Sequence, residues 1–214
     1  MEITSMDSRT QKALSLCGIL VPVVFISVVI ILAHLTPGYS HMAHEISRFG
    51  EVGAPYALYQ NLNFVFAGIL ATGFAVGLHR GLNEGNGSIL GPALVGVFGI
   101  AALVGNGLFP LDQDPAAITT IMHMLLATIG FIAIAAGMYV LAARMQADPQ
   151  WIGYGGKSKV WGVGTVLLFI LWIGAGIAGF TTQGESPDGA LQRLFVGWVM
   201  LWFLIMGAKL HQAS

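Results

Sequence analysis

Residues 13–35 read ALSLCGILVPVVFISVVIILAHL, and no Asp, Glu, Lys or Arg interrupts them. A helix needs roughly 20 predominantly apolar residues to cross the hydrocarbon of a bilayer, so this stretch reads as a membrane span. It is longer than the apolar core of a secretory signal, about 7–15 residues, and no A-x-A cleavage pattern follows it. It is therefore expected to stay in place as an uncleaved first span. Working outward, five further stretches of the same kind follow at 55–78, 88–109, 115–143, 160–180 and 190–210. All are too long for barrel strands of ~9–11 residues, and none alternates apolar with polar. The expected fold is all-α: one polytopic domain of six transmembrane helices over residues 1–214. Composition agrees, because 56% of the 214 residues are hydrophobic and only 9% are charged, against about 25% in a soluble domain. So few charges cannot build a water-facing surface, and the expected partner is the lipid bilayer. A net charge of −1 leaves no basic surface for nucleic acid. The single cysteine, Cys17, rules out an intramolecular disulfide and any cysteine-built metal cluster.

Arginine and lysine placement sets the expected orientation. One side carries Arg9, Lys12, Arg80, Arg144, Lys157, Lys159 and Lys209, the other only Arg48 and Arg193. The first side is assigned to the cytoplasm with both termini, in a multi-pass cell-membrane protein. Acidic residues lean the other way, with Glu45, Glu51, Asp112, Asp114, Glu185 and Asp188 outside against Glu2, Asp7, Glu84 and Asp148 inside. An outward-facing site would thus attract cations. Gly91, Gly96 and Gly99 in the third span, and Gly162, Gly174, Gly176 and Gly179 along the fifth, are expected at close helix contacts.

Residues with chemical potential gather at the outer ends. After the first span, Ser40 can cap and Gly50 can end a short helix. Within it Met42, Ile46 and Phe49 share one face, while His41, His44 and Ser47 or Arg48 fall on another. This predicts an amphipathic helix on the membrane surface, whose His-x-x-His pair could present two imidazoles to one ion. Ordinary interfacial polarity is the competing reading. In the second outer connection, Asp114-Pro115 reads as the N-cap and N1 of the fourth helix. Asp112 has no capping duty there and is free to bind a cation or act as a base. His123 lies roughly 13 Å along the helix from Asp114, on a stripe with Ala116, Thr120, Ala127 and Gly130 that should face the bundle interior. An ionisable residue inside a span is a functional candidate. Asn63 and Asn106 sit at a comparable depth, as interhelical glue or as pocket lining.

The run Tyr39-Ser40-His41, Ile46-Ser47-Arg48-Phe49-Gly50, Gly53-Ala54-Pro55, then Phe109-Pro110-Leu111-Asp112 and the later His123 resembles a bacterial and archaeal membrane family, the domain of unknown function 998. That family has about six spans, an Ile-Ser-x-Leu-Gly-like motif after the first, a Phe-Pro-x-Asp motif before the fourth and a histidine within the fourth. The likeness extends over about 18–210, and departs at Phe49, where the family usually has leucine. It implies fold and topology but no reaction, and it draws attention to Ser47, Asp112 and His123.

Two classes of function compete. One is an outward-facing hydrolase of a lipid or amphipathic substrate. His41, His44 and His123 would be its nitrogen ligands to zinc or another divalent cation, with Asp112 as fourth ligand or base and Ser47 positioning the substrate. Asp112, His123 and Ser47 are the catalytic candidates. The alternative is a non-catalytic accessory or structural subunit of a larger membrane complex, with partner membrane subunits and the polar level acting as glue.

Overall fold

The computed structural model describes residues 8–179, 181 and 186–214. Glu2, Asp7 and Glu185 of the charge count, and Phe180 at the end of the fifth expected span, lie outside them. Among the described residues the chain is all-helical, and six helices are long and apolar enough to cross a membrane. We number them α1 (Ser8–Leu35), α2 (Ala57–Gly81), α3 (Leu90–Leu108), α4 (Ile118–Ala147), α5 (Tyr154–Ile177) and α6 (Asp188–Gln212). Each packs against the next, and α6 returns to α1, so the bundle is a closed ring in chain order. The central space is filled in part by aromatic side chains. Phe74, Trp202 and Phe203 pack together, Phe98 lies 5.7 Å from Phe203, and Phe131 meets Phe195 at 4.8 Å.

Helix limits depart from the sequence expectation where polar atoms decide. α5 starts at Tyr154, ahead of the expected 160, because Lys157 and Lys159 join the helix with their ammonium groups over the rings of Tyr154 and Tyr139. α4 starts at Ile118, so Asp114-Pro115 does not open it. Asp114 Oδ1 instead accepts the Ala116 N–H at 2.9 Å, closing a turn before the helix.

Inside α3, Gly99–Gly105 winds as a π-helix. At its start α2 and α3 touch backbone to backbone: a Cβ on Gly68 would fall 2.5 Å from the Gly99 carbonyl oxygen. A π segment rotates everything after it relative to an unbroken α-helix, by about 100° per extra residue at 3.6 residues per turn. Asn106, the next residue, is turned toward the ring interior and is buried.

At the basic end Arg144 is buried and works as a clamp. Its guanidinium donates to the carbonyls of His79, Leu82, Asn86 and Ser88, so it caps the C-terminus of α2 and holds the α2–α3 turn. Asp148 finishes the same corner by accepting the Asn83 N–H at 2.7 Å.

Candidate functional site

The segment between α1 and α2 is not the surface helix expected from its periodicity. Ser40 and His44 close one turn, with the His44 N–H on the Ser40 carbonyl at 2.8 Å and the Ser40 N–H on His44 Nδ1 at 3.1 Å. Only Ile46–Gly50 is helical, as a 3₁₀ turn, and Ile46, Ser47, Phe49 and Gly50 in it are buried. Bonds from α6 draw it inward. Gln192 Oε1 accepts the Ile46 N–H, and Arg193 donates to the His41 and His44 carbonyls at 3.0 and 2.8 Å and to the Tyr39 hydroxyl. Tyr39 stacks on Phe49 with ring centroids 4.2 Å apart. Gly189 permits the approach, because any Cβ there would lie 2.5 Å from the His44 carbonyl oxygen. The turn thus plugs the acidic end of the ring.

Beneath this plug lies a cavity of about 690 Å³, lined from all six helices. Its polar end carries Ser47, Asn106, Asp112, Thr120, His123 and Gln192, and its apolar end includes Phe98, Phe131, Phe169, Trp172 and Phe195. Met124 on α4 and Ile177 on α5 line it too, and they are 54% and 83% exposed. The cavity therefore reaches the apolar outer surface of the bundle between these two helices. A second pocket of about 470 Å³, lined by Tyr39, His44 and Tyr56, shares Glu45, Arg48 and Asp188 with the first.

Of the residues expected at the site, Ser47, Asp112 and His123 line this one cavity; His41 and His44 do not. The two histidine rings flank Tyr39 instead, with centroids 5.4 and 5.3 Å from its own. Among the described residues no three His, Cys, Asp or Glu come together as a metal ion would require. The set His41, His44, His123 and Asp112 consequently does not fit a three-ligand zinc centre, because the inward fold of the 3₁₀ turn leaves both loop histidines outside the cavity.

What remains is a set of hydrogen-bonding groups with distinct commitments. His123 Nδ1 lies 2.8 Å from the Phe109 carbonyl oxygen. A carbonyl only accepts, so Nδ1 carries a proton and donates it there, which leaves Nε2 as the ring nitrogen that can act as a base. Asp112 gives its N–H to Thr120 Oγ1 at 2.8 Å and takes the Asp114 N–H on Oδ1 at 3.0 Å, which leaves Oδ2 without a partner among the described residues. The Ser47 hydroxyl, on a residue only 7% exposed, has none there either. Asn106 Oδ1 and Asp188 Oδ1 are buried without a donor. Glu45 is pushed up from the ordinary carboxylate range, first by burial, and the charge of Asp188 raises it further against the opposing pull of Arg48.

Sequence reasoning missed Gln192, Glu45, Asp188 and the aromatic end. A signal was available: Asp188, Gln192, Phe195 and Val199 recur at three- and four-residue spacing, a stripe passing from polar to apolar along one face of α6. It was hidden because the faces of a spanning helix contrast so little, lipid and core being equally apolar.

The fold and the cavity define a polytopic helical membrane protein with an internal chamber, polar at the loop end and aromatic at the other. The profile of the family described as protein of unknown function (DUF998) matches residues 19–209, and the chain belongs to that family. Neither the curated proteins nor the solved structures include a match.

Proposed function

We propose that the chamber binds a lipid or other amphipathic molecule from the bilayer and that the protein hydrolyses it, with His123 as general base. The observation that supports this is the pairing of a polar end, holding Ser47 and an Asn106 whose Oδ1 has no donor, with an aromatic end that reaches the lipid-facing surface between α4 and α5. The protein is read as a cell-membrane protein with both termini cytoplasmic, so the acidic end and the polar part of the chamber face outward. Water would enter there. His123 Nε2 takes a proton from water as it adds to an ester or phosphoester, and returns it to the departing oxygen; Ser47 and Asp112 Oδ2 orient the polar head. No step here is routed through a metal.

Reconstitution with a lipid extract, followed by mass spectrometry of the products, tests this reading. Wild-type protein should release a head group or an acyl chain, and His123→Ala should lower the rate about 100-fold or more, the usual worth of a general base. Lipid held but unchanged by the wild type would overturn the hydrolase and favour the accessory-subunit reading.

A further inference from the structure

Several acceptors of the chamber stand without a donor among the described residues. Asn106 is 4% exposed and its Oδ1 has no donor. Asp188 Oδ1 is buried without a donor, and the carboxylate of Glu45 accepts no hydrogen bond among the described residues. Glu45 and Asp188 line both the chamber and the adjoining pocket, so they stand where the two spaces meet. Gly189, pressed against the backbone of His44, brings the start of α6 and the Glu45 segment together, and the Ala190 N–H seals that contact on the Met42 carbonyl at 3.0 Å. Arg48 is the one Lys or Arg on the chamber wall among the described residues, and it is spent on Glu51 at 2.8 Å.

An anionic head would meet three carboxylates (Glu45, Asp112 and Asp188) and one committed guanidinium. A hydroxyl head could pair with them but would leave their charge unanswered. An ammonium has three donors and no acceptor, which matches both the charge and the deficit. Resting on the reading of the chamber as an amphiphile site, we propose that the head of the bound molecule carries a primary ammonium group, held between Glu45 and Asp188, with a further donor of the head satisfying Asn106 Oδ1.

Four probes of equal chain length separate this proposal from the reading beneath it: dodecylamine, dodecyltrimethylammonium, dodecanol and dodecyl phosphate, titrated into the full-length protein in neutral detergent with tryptophan fluorescence as readout. The amine should bind about 10-fold or more tighter than the alcohol and the phosphate, and tighter than the trimethyl analogue, which has charge but no N–H donors. Glu45→Gln and Asp188→Asn keep side-chain shape and should each weaken the amine about 5-fold or more while leaving the alcohol unchanged. Equal binding of amine and alcohol, tightest binding of the phosphate, or a trimethyl analogue as good as the amine would each overturn the ammonium proposal and leave the amphiphile reading standing. Failure of all four to bind would overturn both. The amine-to-alcohol ratio in wild-type protein decides the matter even where a variant fails to fold.

Discussion

Asn63 on α2 donates to the Phe25 carbonyl of α1 at 3.2 Å, whereas the Asn106 side chain on α3 makes no hydrogen bond among the described residues; the Oδ1 of each is buried without a donor. The two amides are alike in the sequence, and only their surroundings separate glue from lining. Asn63→Leu should lower stability by about 1–2 kcal/mol, because the Phe25 carbonyl loses its donor in an apolar setting. Asn106→Leu has no such bond to lose, and in ligand-free protein its unfolding midpoint in denaturant should equal or exceed that of the wild type. The same change should weaken dodecylamine. An Asn106→Leu protein as destabilised as Asn63→Leu would show that Asn106 is paired in the folded bundle. Glu45 supplies a pH test. Burial and the Asp188 charge raise its protonation above the ordinary carboxylate range, against Arg48 on its own segment, with Tyr39 and Arg193 beside it. Its negative charge is therefore lost as the pH falls through that raised value. Amine affinity should decline on acidification before ordinary carboxylates titrate, and Glu45→Gln should flatten that part of the profile. A wild-type profile unchanged until the ordinary carboxylate range would count against Glu45 as a contact.

The helices themselves divide into faces that touch backbone and faces that touch lipid, and glycine alone does not reveal which. Gly99 fits the expected role: its Cβ would fall 2.9 Å from the Gly68 carbonyl oxygen. Gly162 does too, at 2.9 Å from the Ala135 carbonyl oxygen. Gly174 has open space around it, and a Cβ on Gly176 would meet only Asp188 Oδ1 at an ordinary 3.5 Å. The tight contact expected at Gly176 is thus not there, because the end of α5 borders the chamber rather than a neighbouring backbone. Gly99→Leu should prevent assembly of the bundle, since the π-wound part of α3 cannot move off α2. Gly176→Leu should fold with wild-type thermal stability and obstruct the chamber, lowering amphiphile binding. Size-exclusion profiles of the two variants check the contrast, and loss of the folded peak for Gly176→Leu would refute it. Element existence was legible in the sequence because the bilayer imposes a length on each apolar run. The buried 3₁₀ turn was not, since the bonds that draw it in come from Gln192 and Arg193, 146 and 149 residues further along the chain than their partners. Nor was the π segment, whose start lies against the backbone of Gly68.

At the scale of the whole molecule, the two ends of the ring differ in kind as well as in charge. The basic end is closed by polar bonds, with Arg144 on four carbonyls, Asp148 on the Asn83 N–H and Ser158 on the Met138 carbonyl at 2.7 Å, although Arg144 Nε, Trp151 Nε1 and Gln11 Oε1 are buried there without a partner. The acidic end holds the chamber and most of the unsatisfied acceptors. A chamber beneath the acidic end gives the bundle a polarity, and the proposed orientation rests on the placement of the basic residues. In the proposed orientation the basic end lies in the cytoplasm and the chamber outside. Ser158, in a stretch the sequence leaves outside every span, is buried in α5 and cannot report this; Gln150 and Gln113 are exposed at the two ends and can. With Cys17 replaced by alanine, Gln113→Cys should react with a membrane-impermeant maleimide added to intact cells, and Gln150→Cys only after the membrane is permeabilised. Labelling of Gln150→Cys in intact cells, with Gln113→Cys protected, would invert the molecule. The chamber would then take its ligand from the cytoplasmic leaflet, and the acidic rim would recruit ammonium heads from that side instead.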